Sequence, residues 1–320
     1  MVNVSVIMPC YNASAYIAEA IQSVLSQSYK EWELLVVDDG STDNSAEIVS
    51  HFAKADDRIH LIEQPNSGAC RARNNGIEQA TGEFIKFLDS DDMLEPECLA
   101  LQIVEIQKLA ERQIPFGDYY NVDKEGNIIS KYGFDRQKDL QDDSVYFFFS
   151  EWRILTSSPL HRTALLREIG GFNEELKRGQ ESDLHLRLAL ADVEFVYFPI
   201  VTYRYRDHSA TNRISENLKV GTRGRRDYYV QRAYICEQLF EKKYDSVPSK
   251  YNSYFANTWF SYARDLFDYG NKQKGKEYIE KAYKYGLQTS FQRFYFVFGK
   301  MIGYGTLEKI FRLRLRIMHQ

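Results

Sequence analysis

The sequence predicts an α/β fold built on a mostly parallel central sheet, with a helical extension toward the carboxyl end. Four apolar runs typical of buried strands alternate with helical patterns within the first 92 residues, and polar or acidic residues follow where the runs end. Strand-like runs disappear after about residue 217. Because alternating strands and helices favour a parallel sheet with right-handed crossovers, we expect an α/β domain over residues 1–217 and a helical extension over residues 218–320.

The first predicted strand is an almost continuous apolar run from Val2 to Met8, as expected of a parallel strand that is covered on both faces. Pro9 ends this run. Tyr11 then offers an aromatic face, and Asn12 offers both a hydrogen-bond donor and an acceptor. The spacing of apolar residues after position 14 predicts an amphipathic helix.

The second predicted strand, residues 32–37, ends in Asp38 and Asp39. A carboxylate at this position could accept a hydrogen bond from a nucleobase N–H or a ribose hydroxyl. The alternative is an ordinary capped turn between a strand and a helix.

The third predicted strand, residues 59–63, leads through a turn containing Gly68 into a helix expected from about Ala69 to Ala80. Arg73 lies near the start of that helix, where backbone N–H groups already favour an anion. All of these polar residues follow the carboxyl end of a strand, which is the edge at which open α/β sheets bind ligands.

The fourth predicted strand, residues 84–88, is followed at once by the carboxylates Asp89, Asp91 and Asp92. Carboxylates this close raise one another's pKa unless a cation lies between them. Hard oxygen ligands suit Mg²⁺ or Mn²⁺, ions that commonly hold substrate phosphates as well. The alternative is an acidic helix N-terminus, since residues 95–97 begin a helix nearby.

These segments, in this order, resemble the motifs of family 2 glycosyltransferases: VSVIMPCYN (4–12), VVDDGSTD (36–43), NSG with ARN (66–68 and 72–74) and FLDSDD (87–92). The resemblance implies a GT-A fold, a nucleotide-diphosphate sugar donor (a UDP-sugar is favoured), Mg²⁺ or Mn²⁺, and an inverting reaction. It also implies that Asp39 contacts the base, Asp89 the ribose and Asp91 the metal. The nucleotide-sugar-binding residues implied in this way are Pro9, Tyr11, Asn12, Asp39, Gly68, Arg73, Asp89, Ser90 and Asp91.

A later stretch, GGFNEEL (170–176) with GQESDLHLRL (179–188), is similar to the acceptor-side motif of the same family. The resemblance places Glu181 at the position of the catalytic base, which is usually an aspartate. Asp183 is the rival, because the extra methylene of Glu181 could shift the register. The alternative is that these acids cap a helix over residues 184–190.

Two residues of this stretch depart from the family pattern. Ser182 and His185 stand where the family usually has aromatic residues. By resemblance, this departure implies a shifted base or an altered acceptor pocket.

A hairpin is predicted over residues 117–132, and a further strand over residues 195–201. Arg204 and Arg206 follow that strand, and either could close on a phosphate. The resemblance implies that His208 approaches the metal or the diphosphate. The alternative is a structural or solvent-exposed histidine.

Bulk properties agree with this interpretation. A net charge of −4 and a pI near 6.0 give no reason to expect nucleic acid as a partner. The four cysteines are scattered without ligand spacing, as in reduced cytosolic proteins. We expect neither a signal peptide nor a membrane-spanning helix, because the chain enters a strand at once and has no long apolar run.

The tail is expected to be helical, with a helical hairpin interrupted at residues 270–272. The last thirty residues carry six basic residues against one acid, and a final helix from Leu307 to Met318 would have an apolar face beside a basic stripe. Such a helix could contact the inner face of the cytoplasmic membrane, which would suit a lipid-linked acceptor. The alternative is packing on the protein's own tail.

Three functions follow from these patterns. The favoured one is a metal-dependent inverting glycosyltransferase that acts on a saccharide or lipid-linked acceptor, in cell-envelope polysaccharide synthesis. A sugar nucleotidyltransferase would also use a sheet, acids and a metal, but it should open with a Gly-rich basic loop where Pro9 to Asn12 stand. The third is a non-catalytic nucleotide-binding module.

Overall fold

The computed structural model describes residues 3–149, 154–176, 178–207, 223–268 and 270–310, without the side chains of residues 223–229 and 268. The chain divides into two compact units, Met1–Ile214 and Ser215–Gln320. The predicted domain boundary after residue 217 falls within residues 208–222, which lie outside the described ranges.

The first unit contains all nine strands of the described residues and eight of their α-helices. The strands are β1 (Val4–Cys10), β2 (Trp32–Asp38), β3 (Ile59–Glu63), β4 (Phe84–Phe87), β5 (Met93–Leu94), β6 (Gln113–Val122), β7 (Ile128–Tyr132), β8 (Leu160–Arg162) and β9 (Glu194–Arg206). The helices are α1 (Ile17–Leu25), α2 (Ser45–Ala55), α3 (Ala69–Gln79), α4 (Cys98–Ile106), α5 (Gln137–Asp142), α6 (Ser144–Phe149), α7 (Thr163–Glu168) and α8 (Gln180–Leu190).

The central sheet has the order β3-β2-β1-β4-β8, in which the first four strands are parallel and β8 is antiparallel. The predicted parallel sheet is therefore confirmed. Every residue of β1 is buried, because alternate side chains of this strand pack on opposite faces of the sheet. Val4, Val6 and Met8 share a core with α1 and α4, whereas Ile7 contacts Gly76 of α3. Helices thus cover both faces of the sheet.

A second sheet has the order β5-β9-β6-β7. It contains the predicted hairpin, since β6 and β7 pair antiparallel. Strand β9 continues to Arg206, further than the predicted residues 195–201, because β6 and β5 pair with it along most of its length. The alternation of tyrosine and arginine near position 204 therefore belongs to the strand itself.

The second unit is helical, as predicted for the tail. Its α-helices with defined bounds are α9 (Arg223–Tyr244), α10 (Asn252–Asp268), α11 (Lys272–Lys284) and α12 (Ser290–Ile302). Helices α10 and α11 form the predicted hairpin, with Phe255, Trp259 and Ala263 buried. Among the described residues, no helix is both long and apolar enough to span a bilayer.

Candidate functional site

The polar ends of three neighbouring strands meet at one edge of the central sheet. Strands β2, β1 and β4 are adjacent and parallel, so the residues that follow them lie at the same edge. Backbone hydrogen bonds extend the sheet to this edge: Asp39 N donates to Cys10 O at 2.8 Å, and Leu88 N donates to Ile7 O at 3.0 Å. Asp39 and Asp89 therefore lie at the ligand-binding edge of an open α/β sheet.

Asp39 fastens the loop after β3 to the end of β2. Its Oδ1 accepts hydrogen bonds from Gln64 Nε2 and Ser67 N, both at 2.8 Å, and its Oδ2 accepts one from Gly68 N at 2.7 Å. Three of the roughly four lone-pair positions of this carboxylate are therefore used, and Asp39 is only 3% exposed. The neighbouring Asp38 instead closes its own turn, because both of its oxygens accept hydrogen bonds from Ser41.

The segment after β1 is bound to the segment after β2. Asn12 adopts a φ of 50° and accepts a hydrogen bond from Thr42 N through its Oδ1 at 2.8 Å. Asn12 thus shapes this edge through its amide oxygen. Pro9 is buried within β1, and Tyr11 is 45% exposed. Tyr11 is therefore the aromatic side chain of this segment that a base could stack on.

Gly68 is the residue that precedes α3. Its φ of 93° favours glycine, and a Cβ atom added there would meet nothing within 4 Å. The space beside Gly68 is thus open, next to the carboxylate of Asp39.

Arg73, on α3, is buried and binds two segments at once. Its Nη2 donates to Asp89 Oδ1 at 2.7 Å, and its Nη1 donates to Gln180 Oε1 at 2.9 Å. The Asp89 side chain is 37% exposed, which leaves part of it accessible to a ligand. By sequence pattern, Gln180 is no more than a possible helix cap. Its position directly before Glu181 is the signal that could have identified it.

Asn74 provides a second connection between α3 and the later motif. Its Oδ1 accepts from Phe172 N at 2.7 Å, and its Nδ2 donates to Phe172 O at 2.9 Å. A Cβ atom on Gly171 would lie 2.4 Å from Asn74 Oδ1, so only glycine permits this contact. The early and late motifs of the sequence are therefore joined through adjacent residues of one helix.

The three carboxylates after β4 differ in their surroundings. Asp92 is buried and accepts a hydrogen bond from Arg206 N at 3.0 Å, which makes it a structural residue. Ser90 and Asp91 are partly exposed, as Asp89 is. Asp89 and Asp91 are therefore the two acids of this loop that a ligand can reach.

The prediction that Arg206 could close on a phosphate is wrong. The side chain is 1% exposed, and its guanidinium donates to Asp91 O at 3.0 Å, to Lys124 O at 2.6 Å and to a carboxylate oxygen of Glu19. A buried guanidinium must satisfy its donors within the protein, and this one does so with backbone and carboxylate oxygens. Arg204 forms an ion pair of 2.5 Å with Glu95.

The donor set at this edge fits a divalent cation that is shared with a diphosphate. Mg²⁺ usually keeps several waters and binds through one or two carboxylates together with substrate phosphates, and Asp91 offers a partly exposed carboxylate of this kind. Among the described residues, no group of three or more His, Cys, Asp or Glu side chains is placed to hold a metal. His208 lies outside the described residues.

The two candidate bases lie in the first turn of α8 in different environments. Asp183 is buried and paired with Arg187, whose Nε and Nη2 both donate to its Oδ2 at 2.9 and 2.7 Å. Burial raises the pKa of Asp183, and Arg187 opposes that rise. Glu181 is partly exposed. The geometry therefore favours Glu181 as the group that an acceptor could reach.

Ser182 and His185 point into the core of the unit and are 2% and 0% exposed. His185 packs against the rings of Phe148 and Phe195 and stacks on His161, with ring centroids 5.8 Å apart. Burial first, and Arg187 second, lower the pKa of His185 to about 3, so the ring is neutral. The departure from the usual aromatic residues therefore lies in core packing, and the expected shift of the base or change of the acceptor pocket stays a prediction.

Cysteine nucleophiles do not fit this edge. Cys10 and Cys70 lie close to the turns described above, and both are buried. Burial is the main cause that raises the pKa of each thiol to about 12. Both side chains therefore remain protonated thiols, which are poor nucleophiles.

Residues 5–162 match the model of glycosyl transferase family 2, and this stretch includes the ends of β1, β2 and β4. Residues 5–162 therefore form a glycosyl transferase family 2 domain. Arg73, Asp39, Asp89 and Asp91 lie inside the matched stretch, whereas Gln180 and Glu181 lie beyond it.

Three curated relatives show the range of this family. The chain is 39% identical over 127 residues to "Glycosyltransferase GlyG" of Streptococcus pneumoniae, 40% identical over 132 residues to "Putative teichuronic acid biosynthesis glycosyltransferase TuaG" of Bacillus subtilis, and 32% identical over 190 residues to "Chondroitin synthase" of Escherichia coli. These matches cover 39%, 40% and 58% of this chain, and 42%, 51% and 26% of the relatives. The chain therefore spans about half or less of their length.

Solved structures show the same fold. The crystal structure of S. aureus TarS 1–349 superposes with a TM-score of 0.61 at 21% identity, covering 97% of this chain and 91% of that one. The same protein in complex with UDP-GlcNAc gives a TM-score of 0.61 at 20% identity, covering 97% of this chain and 92% of that one. The predicted GT-A fold with a helical extension is thus confirmed.

Proposed function

We propose that this protein is an inverting, metal-dependent glycosyltransferase that moves a sugar from a nucleotide-diphosphate donor, favoured as a UDP-sugar, to a saccharide or lipid-linked acceptor. The observation that carries the proposal is the position of Arg73. One buried guanidinium joins Asp89, at the end of β4, to Gln180, at the start of the helix that carries Glu181. Donor-side and acceptor-side groups are thereby held in one rigid arrangement, as transfer between two bound substrates requires.

The donor would bind at the edge formed by β2, β1 and β4. The remaining acceptor position on Asp39 suits a nucleobase N–H, and the exposed ring of Tyr11 suits stacking against the base. Asp89 is oriented by Arg73 and presents a partly exposed carboxylate to a ribose hydroxyl. The binding of UDP-GlcNAc by the structurally similar TarS supports a uridine nucleotide as the first donor to test.

Asp91 would hold the divalent cation. Mg²⁺ or Mn²⁺ bound there would supply Lewis-acid stabilisation of the negative charge that develops on the leaving diphosphate, which is worth several kcal/mol. The guanidinium of Arg206 donates to the backbone carbonyl of Asp91, so the loop after β4 is held in place before a ligand arrives. Such preorganisation avoids the free-energy cost of reorganising the loop at the moment of reaction.

Glu181 would act as the general base. In an inverting transfer the acceptor oxygen attacks the anomeric carbon from the face opposite the diphosphate, and the base takes the hydroxyl proton as the new bond forms. Glu181 lies in the first turn of α8 and is partly exposed, so an acceptor hydroxyl can approach its carboxylate. Asp183 instead would keep Arg187 and the helix in place.

Cell-envelope polysaccharide synthesis is the proposed setting, because relatives are named for teichuronic acid and chondroitin synthesis. A lipid-linked acceptor would require contact with the membrane. The predicted basic helix from Leu307 to Met318 lies mostly outside the described residues, since these end at 310, and Leu307 is buried.

The proposal is tested by incubating the protein with a panel of nucleotide sugars and Mn²⁺ or Mg²⁺, with and without EDTA. We expect slow donor hydrolysis that the chelator blocks, and transfer once a suitable acceptor is added. Turnover that depends on pyrophosphate would identify a sugar nucleotidyltransferase. Nucleotide binding without any turnover across the panel would identify a non-catalytic module.

A further inference from the structure

Helix α12, Ser290–Ile302, has two apolar faces, and among the described residues of the second unit only one of them is covered. The inner face is formed by Tyr295, Phe296 and Gly299. Tyr304 packs on Gly299 so closely that an added Cβ would lie 1.9 Å from its ring. The ring of Tyr283 stacks on Phe296 with centroids 4.5 Å apart. The helix is therefore already anchored in the core of its own unit.

The outer face of α12 consists of large apolar side chains that are exposed. These residues recur at helical spacing, so they form one stripe, and each is 40% exposed or more: Val297, Phe298 and Met301. Met301 reaches 73% exposure, and Ile302 extends the stripe at 46%. Soluble proteins rarely leave a contiguous apolar surface of this kind uncovered unless it binds something.

The exposed charges beside the stripe on its own segment, residues 286–310, are positive. Arg293 and Lys300 are exposed on α12, and Lys309 is exposed in the helical segment that follows. Residues 286–310 contain one acid, Glu308, which is 2% exposed and accepts hydrogen bonds from Arg264 and Tyr295. A partner that covers this face thus meets apolar side chains bordered by positive charge, and this segment adds no exposed carboxylate.

We propose that the outer face of α12 inserts into the headgroup region of an anionic bilayer, with the helix lying in the plane of the membrane. An amphipathic helix with Phe and Met on one side and Lys or Arg beside them is the pattern of interfacial membrane helices. At 1.5 Å per residue, its 13 residues form a rod of roughly 20 Å, which suits lying along the surface. Anionic lipid attracts Arg293 and Lys300 while the apolar stripe leaves water.

This proposal is independent of the transfer reaction, because no residue of the candidate site takes part. The test is sedimentation of the full chain with vesicles of phosphatidylcholine alone or with phosphatidylglycerol, at low and high salt. We expect binding that requires the anionic lipid and weakens with salt. Val297→Glu should weaken binding about tenfold or more, since it places a charge in the middle of the stripe.

Val104→Glu is the matched control. Val104 lies on α4 and is 50% exposed, and Val297 is 53% exposed, so the two substitutions add the same charge to equally exposed helical valines. Val104→Glu should leave vesicle binding within about twofold of the unmodified protein. Both variants should keep the circular dichroism spectrum and donor hydrolysis in solution. Met301→Gln, at the most exposed position, replaces Val297→Glu if that variant fails to fold.

Equal binding by the two glutamate variants would overturn the proposal, as would binding that ignores lipid charge or an absence of binding to either vesicle. A second copy of the chain is the main rival for this face. Sedimentation velocity without lipid distinguishes it: a dimer that Val297→Glu dissociates would assign the stripe to self-association and overturn the membrane proposal.

Discussion

Arg73 and Asp89 form a hydrogen-bonded ion pair of 2.7 Å in which the arginine is almost fully buried and the aspartate is partly exposed. The same guanidinium donates to Gln180 at 2.9 Å. An arginine can do this because its planar fork presents several donors at fixed angles, whereas a lysine presents a single ammonium. The loop after β4 and the start of α8 are therefore both held by Arg73.

The substitution Arg73→Lys should keep the positive charge but lose the simultaneous hydrogen bonds to Asp89 and Gln180. We expect transfer to fall by about 10²-fold, because small displacements of reacting groups cost rate at this scale. Transfer rates and nucleotide affinity measured by calorimetry check the prediction. Arg71→Lys on the same helix is the control, since Arg71 makes only exposed ion pairs and should stay within about twofold.

Asp91→Asn should abolish turnover and remove the metal dependence of nucleotide binding, because the variant loses the charge that would hold the cation. Thermal-shift titration of UDP with and without Mn²⁺ measures how strongly nucleotide binding depends on the metal. Asp57→Asn, an exposed aspartate in the loop before β3, serves as the control. Normal turnover in the Asp91→Asn variant would show that Asp91 does not hold the metal.

Glu181→Gln and Asp183→Asn should have different consequences. The first should cut transfer by about 10²–10⁴-fold with unchanged donor affinity, the usual contribution of a general base. The second should lower the free energy of unfolding by about 1–3 kcal/mol, because it leaves Arg187 without its ionised partner. Urea denaturation and steady-state kinetics on both variants separate these effects. A stable Asp183→Asn variant that loses transfer would reverse the assignment.

His185 should make the protein less stable in mild acid. Its pKa is about 3 in the folded protein and near 6.5 in an unfolded chain, so the unfolded state binds more protons between these values. Stability is therefore present above pH 6.5 and is lost as the pH falls toward 3, by up to about 1.4 kcal/mol per pH unit.

Urea midpoints between pH 7.5 and 4.5 measure this slope. His185→Phe should reduce it, because the variant has no group to protonate at that position, and the buried neighbour His161, whose pKa is lowered mainly by burial, should account for the remaining slope. His51→Gln, an exposed histidine on α2, should leave the slope unchanged. Identical slopes for all three proteins would contradict the role given to His185.

The sequence was sufficient to predict the four parallel strands of the central sheet and most helices of the first unit, because strand burial and helical spacing are local patterns. The short strands β5 and β8 were not predicted. The third strand has the predicted bounds, and α3 ends at Gln79, one residue before the predicted end. The order of the strand-end motifs also placed Asp39 and Asp89 at one edge of the sheet. Neighbouring parallel strands bring their carboxyl ends together, so this arrangement follows from topology.

The partners of the charged residues could not be predicted from local patterns. Arg73 binds Gln180 across more than a hundred positions of the sequence, and Arg206 binds the backbone of Asp91 across a similar separation. Periodicity says that Arg206 alternates with tyrosines, but it does not say that the guanidinium is buried. Likewise, spacing does not separate Asp183 from Glu181, whereas the burial of Asp183 and its ion pair with Arg187 do.

Arg206 also sets the order in which the candidate site can be completed during synthesis. The backbone of the loop after β4 is held by a residue made more than a hundred positions later, and Asp92 accepts from the same residue. A nascent chain that ends before β9 would lack this support, even though the stretch matched by the family model would already be present. Since a domain folds as a unit while the ribosome adds residues, the candidate site would be complete only after β9 has left the ribosome.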